Sequence, residues 1–137
     1  MKVYVCNIAV RYAETDKMGV AHHSSYLLWF ETARTGLLRE AGHAYRDMEV
    51  SGSLLPVIEY NCRFFAGAEY DDNVEIDTSI ITLRSRSVTF HYRARRGDEL
   101  LAEGWTRHLC VSRDNVPRRI PRKISEAISA YRSPVTT

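Results

Sequence analysis

At 137 residues, 45% hydrophobic and 26% charged, the sequence is long enough for one domain with a real core and too short for two comfortable ones. Its net charge of +2 argues against non-specific nucleic-acid binding, although residues 84–123 carry 11 Lys or Arg against 4 Asp or Glu while the remainder carries 8 against 13. No apolar run approaches the roughly 20 residues of a membrane span, and Cys6, Cys62 and Cys110 are too far apart for a disulfide framework or a zinc knuckle.

The opening MKVYVCNIAVRY alternates as a strand over about residues 2–11 and does not read as a signal peptide, so a soluble cytoplasmic protein is expected. Residues 11–42 then run from a carboxylate-bearing loop through a glycine and a histidine pair into a strongly patterned helix. Tyr26, Leu27, Phe30, Ala33, Leu37, Leu38 and Ala41 have the spacing of one buried stripe on a 3.6-residue repeat. Ser24 and Ser25 are the candidate N-caps, and Gly42 is the expected stop. A helix starting here leaves its first N–H groups free, and they favour negative charge where Asp16, His22 and His23 arrive.

A Gly- and Ser-containing loop is expected over residues 42–55, followed by strands over 57–65 and 74–83. Val88, Phe90, Tyr92 and Ala94 alternate with polar residues in the next strand. A turn at Arg96-Gly97-Asp98-Glu99 leads into a final strand over 100–112, making a hairpin. Pro117 and Pro121 break the chain before a short helix, PRKISEAISAYR, with Pro121 suited to its first turn. One helix followed by a meander of strands reads as α+β with an antiparallel sheet, on which the helix buries its stripe.

Residues 12–34, YAETDKMGVAHHSSYLLWFETAR, carry a further signal. The ordered set Tyr12, Glu14, Asp16, Gly19, Val20, His23, Tyr26, Phe30, Glu31, Ala33 and Arg34 resembles the start of hot-dog thioesterases of the 4-hydroxybenzoyl-CoA thioesterase type. The nearest pattern within that type is the small Tol-Pal-associated group of acyl-CoA thioesterases. The order of strands carries the resemblance to about Ser112, and none is seen from Arg113 onward. It implies a single hot-dog domain over residues 1–137, with a five- or six-stranded antiparallel sheet wrapped around one central helix. It also implies a homo-oligomer, a dimer of dimers, with active sites at a subunit boundary.

The resemblance assigns Asp16 to attack on a thioester carbonyl, as nucleophile or as the base that activates water. A thiol leaving group of pKa about 8–9, by analogy with cysteine, departs without a strong general acid. What remains is carbonyl polarisation, for which the backbone N–H of His23 is the expected donor, helped by the helix dipole. By the same resemblance Gly19, Val20, His22 and Tyr26 line the substrate, His22 standing where the family usually has an aromatic residue. Arg84, Ser85 and Arg86 lie where hot-dog enzymes receive pantetheine and nucleotide, and charge plus hydroxyls suit phosphate there.

Other groups read as structural. Glu31 and Arg34, three apart, can pair locally on the helix surface, a reading at least as good as a catalytic role. His43, His91 and His108 are scattered and read as solvated or structural. Adjacent histidines point in different directions on a helix, and no HxH, HExxH or cysteine pair accompanies them, so neither a metal nor a cofactor is expected. No GxSxG elbow supports a serine hydrolase. The leading reading is hydrolysis of an acyl-CoA to free acid and coenzyme A. An acyl-carrier-protein thioesterase, a hot-dog hydratase and a non-catalytic acyl-CoA-binding protein stand as alternatives.

Overall fold

One N-terminal strand and four strands that follow residue 56 form the sheet, and the computed structural model describes residues 1–133. The strands are β1 (Tyr4–Ala9), β2 (Val57–Phe64), β3 (Asn73–Leu83), β4 (Ser87–Arg96) and β5 (Glu99–Leu109). The sheet order is β1-β3-β4-β5-β2, with every neighbouring pair antiparallel. Val74, Ile76, Thr78 and Ile80 of β3 and Val88, Phe90, Tyr92 and Ala94 of β4 are buried on one face. Helix α1 (His23–Glu40) lies across that face, with the Phe30 ring stacked on Tyr92 at 4.3 Å and 4°. Gly36 lets the helix approach β1, because a Cβ there would collide with the Tyr4 ring.

The buried stripe of α1 differs in detail from its predicted membership. Trp29 is buried and Leu27 only partly so. Neither serine caps the helix: His22 is the N-cap, its Nδ1 accepting the Ser24 N–H at 3.1 Å. Ser25 instead turns inward and donates its hydroxyl to the Glu14 carbonyl. The C-terminus closes as expected at Gly42, whose φ of +89° lets His43 N–H reach the Leu38 carbonyl and Gly42 N–H reach that of Arg39.

The expected loop over 42–55 contains a second helix, α2 (Tyr45–Ser51), which buries Met48 and ends at Gly52 in the left-handed conformation. Seven residues are too few to display a helical repeat in the sequence. The last strand ends at Leu109 instead of residue 112, because Val111 leaves the sheet to exchange backbone hydrogen bonds with Leu54. Pro121 is the N-cap of α3 (Arg122–Ile128), one position before the first turn, and Ile124 and Ile128 anchor that helix on the core.

Strand β2 is an edge. Val57, Ile58, Tyr60 and Phe64, with Phe65 just beyond it, are exposed. Unpaired, apolar strand edges of this kind invite a further strand.

Candidate active site

The loop before α1 is built around Glu14. Its backbone carbonyl accepts the His22 N–H at 2.8 Å and the Ser25 hydroxyl at 3.0 Å, which fastens it to the helix N-terminus. Its carboxylate, almost buried, receives the Arg11 N–H at 2.8 Å, the Trp29 indole N–H at 2.9 Å and the Arg11 guanidinium at 3.4 Å. Burial alone would raise the pKa of this group, but those three donors outweigh it and hold the carboxyl below its ordinary value. Glu14 therefore positions the loop.

Asp16 stands on the exposed side. Its N–H bonds to the Val20 carbonyl at 2.9 Å, and its carbonyl accepts the Gly19 N–H at 3.0 Å, so residues 16–20 form one tight loop. Gly19 has φ of +80°, a conformation that residues with a Cβ rarely adopt. One Asp16 carboxylate oxygen takes the Met18 N–H at 2.8 Å; the other has no donor among the described residues. The loop rests on the β2–β3 connection, where Ala21 N–H meets the Ala68 carbonyl at 2.7 Å and Val20 packs over Gly67. Arg96 braces that connection from the β4–β5 hairpin, reaching Asp72 at 2.5 Å and the Gly67 carbonyl at 3.4 Å.

At the helix start each neighbouring amide is occupied. His22 N–H goes to Glu14, Ser24 N–H to the His22 ring and Ser25 N–H to the His22 carbonyl. Among the described residues the His23 N–H has no acceptor, and it lies open at the positive end of an 18-residue helix. The His23 ring lies 4.6 Å from Phe64, which in turn meets Tyr26 edge-on at 5.2 Å. Tyr26 is only 1% exposed, so it forms the floor of this aromatic group. Phe64 was not singled out in the sequence, because an aromatic residue within a strand carries no mark of its partner 41 positions earlier.

Among the described residues, no three His, Cys, Asp or Glu side chains are placed to hold a metal ion, and no helix is long and apolar enough to cross a membrane.

A family model described as the thioesterase superfamily matches residues 18–108. The chain belongs to the thioesterase superfamily. Over 116 residues it is 34% identical to a Bacillus subtilis protein named putative acyl-CoA thioesterase YneP, with 84% of each chain covered. A hypothetical protein, TT1821, from Thermus thermophilus superposes with a TM-score of 0.89 at 44% identity, covering 93% of this chain and 98% of its own. The DHNA-CoA thioesterase of Staphylococcus aureus superposes with a TM-score of 0.90 at 32% identity, covering 95% and 91%.

The sheet and central helix are thus the hot-dog fold of this superfamily. The family match begins just after Asp16. Within one copy of this thioesterase fold, Arg84, Ser85 and Arg86 are not brought to Asp16. They are exposed at the turn after β3, held by Arg84 N–H to the Ser87 carbonyl and by Ile120 and Cys110 amides on the Ser85 and Arg86 carbonyls. The Asp16 loop neighbours the opposite end of β3, where Asp72 accepts the Val10 N–H. Eleven residues of strand at about 3.3 Å each separate the two ends by roughly 35 Å. Glu31 and Arg34 form no ion pair; a guanidinium nitrogen of Arg34 is buried without a partner. His108 is buried, and His91 pairs with Glu103 at 3.1 Å on the opposite face of the sheet.

Proposed function

We propose that this protein hydrolyses an acyl-CoA thioester to a free carboxylic acid and coenzyme A. The observation that carries the reading is the unbonded His23 amide at the start of α1, on the same short loop-to-helix unit as the solvent-facing Asp16 carboxylate. The Asp16 oxygen without a donor attacks the thioester carbonyl or takes a proton from the water that does. The developing oxyanion is received by the His23 N–H, whose loss as a donor would remove about 3–4 kcal/mol of transition-state stabilisation. Collapse of the intermediate expels the thiolate, which needs little help from an acid. After direct attack, water then cleaves the acyl–Asp16 anhydride to the free acid and restores the carboxylate. No metal or cofactor takes part, coenzyme A being substrate.

Gly19, Val20, His22 and Tyr26 shape the acyl side of the site, with Phe64 as a further wall. The names of relatives such as the Bacillus subtilis protein support the acyl-CoA class. The motif over residues 12–34 assigns the chain to the 4-hydroxybenzoyl-CoA thioesterase type, Tol-Pal-associated group, as one hot-dog domain spanning residues 1–137. Its place of action is the cytoplasm.

The working form is a homo-oligomer, a dimer of dimers. Exposed apolar residues of β2 supply the edge for pairing. A second copy also answers the separation between Asp16 and the Arg84, Ser85 and Arg86 turn, since the partner's turn then receives the coenzyme A phosphates.

The test is thiol release from a panel of short, long and aromatic acyl-CoAs, with acyl carrier protein thioesters in parallel. Turnover of a CoA ester supports the reading. Turnover of carrier-protein esters alone replaces the substrate, and none on either leaves a binding protein. Single turnover in ¹⁸O-labelled water then separates the two roles of Asp16, because label enters the carboxylate only after direct attack.

A further inference from the structure

A cavity of about 220 Å³ lies between the second half of α1 and the sheet, walled by Leu38, Leu55 and Phe90. Glu31, Arg34 and His108 are among its polar lining groups. A buried nitrogen of Arg34, Nη1, has no hydrogen-bond partner. Native proteins rarely leave such a group unpaired without a ligand or solvent to meet it.

The polar groups behind Arg34 are already committed. The His108 Nδ1 faces the Leu55 carbonyl at 2.8 Å and must be the protonated nitrogen, since a carbonyl only accepts. Its Nε2 then accepts the Thr106 hydroxyl at 2.8 Å, leaving the Thr106 oxygen to accept the Tyr92 hydroxyl at 2.7 Å. The Tyr92 hydroxyl oxygen also interacts with the Arg34 guanidinium, yet among the described residues no hydrogen bond reaches Nη1. Glu31, the nearest carboxylate in sequence, is exposed at the rim and forms no ion pair with it.

We propose that this cavity is a carboxylate-binding site, with Arg34 as the residue that recognises the anion. A guanidinium matches the planar geometry of a carboxylate and is the side chain suited to pairing with one away from water. The apolar walls accept the rest of the acid. A cavity of about 150 Å³ takes a benzene, so this one admits a ring with its carboxylate. Arg34 is 11 residues along α1 from His23, about 16 Å at 1.5 Å per residue, so this carboxylate is not the one formed at the proposed hydrolytic centre. It belongs either to the far end of a long acyl chain or to a separate small acid.

Isothermal titration of the purified protein with benzoate and with its neutral isostere benzamide tests the site without requiring turnover. Benzoate should bind at least tenfold more tightly, and Arg34→Met should abolish the preference. Arg34→Lys guards against misfolding, because it retains the charge and should keep part of the preference. Equal binding of the two probes, no binding of either, or a preference unchanged in Arg34→Met would overturn the proposal. So would a crystal structure in which a side chain of a second copy fills the cavity. Inhibition of thioester hydrolysis by benzoate identifies the source: competition points to the acyl chain, and a non-competitive pattern to a separate acid. Loss of hydrolysis as a function leaves the titration result standing.

Discussion

The Trp29 indole donates its N–H to the Glu14 carboxylate at 2.9 Å, tying the loop that carries Asp16 to the second turn of α1. Glu14→Ala leaves the indole and the Arg11 amide without their acceptor, at a cost of about 2 kcal/mol in stability for buried donors. Urea denaturation followed by tryptophan fluorescence measures that loss. The same variant should lower kcat more than it raises KM, because the helix remains while the loop loses its anchor.

Acid should weaken the fold through His108 first. Burial pushes this imidazole down to about 4, helped by the Arg34 charge and opposed by the Leu55 bond. The unfolded chain binds the proton from about pH 6.5 downward and the folded one does not, so stability is full above 6.5 and falls towards pH 4. The loss approaches about 3 kcal/mol at roughly 1.4 per pH unit. Urea midpoints across pH 4–8 should show the decline, and the His108 ring signals in NMR should not titrate between pH 7 and 5. Glu14 adds a lower window: its carboxyl is depressed, so its contribution is present above about pH 4.5 and disappears as pH falls through the folded value.

Phe64 holds the His23 ring at 4.6 Å. A ring contact of this kind is worth about 0.5–1.5 kcal/mol, so Phe64→Ala should raise KM by about two- to tenfold, with the larger effect on bulky acyl chains. Steady-state kinetics on two acyl lengths decides it; equal effects on both would remove Phe64 from the acyl wall.

Ile58, exposed at the irregular start of β2, is a sensitive point on the proposed pairing edge. Ile58→Asp places a charge there and should shift the protein to monomers in sedimentation velocity. Activity should fall with dimer content, since the Arg84, Ser85 and Arg86 turn of a second copy would be lost.

The sheet and α1 were legible because both repeat: period two in β3 and β4, and 3.6 from Tyr26 to Leu38. Gly42 was legible as the residue that stops the helix, which it does through positive φ. The α2 helix was hidden by its length, and the His22 cap by the rarity of histidine in that role. The Glu14–Trp29 bond joins residues 15 apart through tertiary placement, which no local pattern encodes. The Glu31–Arg34 spacing suggested a pair that the fold does not form; the guanidinium is turned instead to the buried Tyr92 hydroxyl. Arg84, Ser85 and Arg86 lie in the turn where the sequence placed them, but their distance from Asp16 along β3 is a property of the folded sheet.

The most direct measurement is kcat for Asp16→Asn on the best acyl-CoA substrate, with circular dichroism to show that the fold is kept. The amide retains the shape and can still accept the Met18 N–H, but it neither attacks nor takes a proton. A fall of about 10³-fold or more, within or beyond the 10²–10⁴ typical of a lost acid–base group, is the expected result. Turnover within tenfold of the unaltered protein would contradict the assignment of hydrolysis to Asp16.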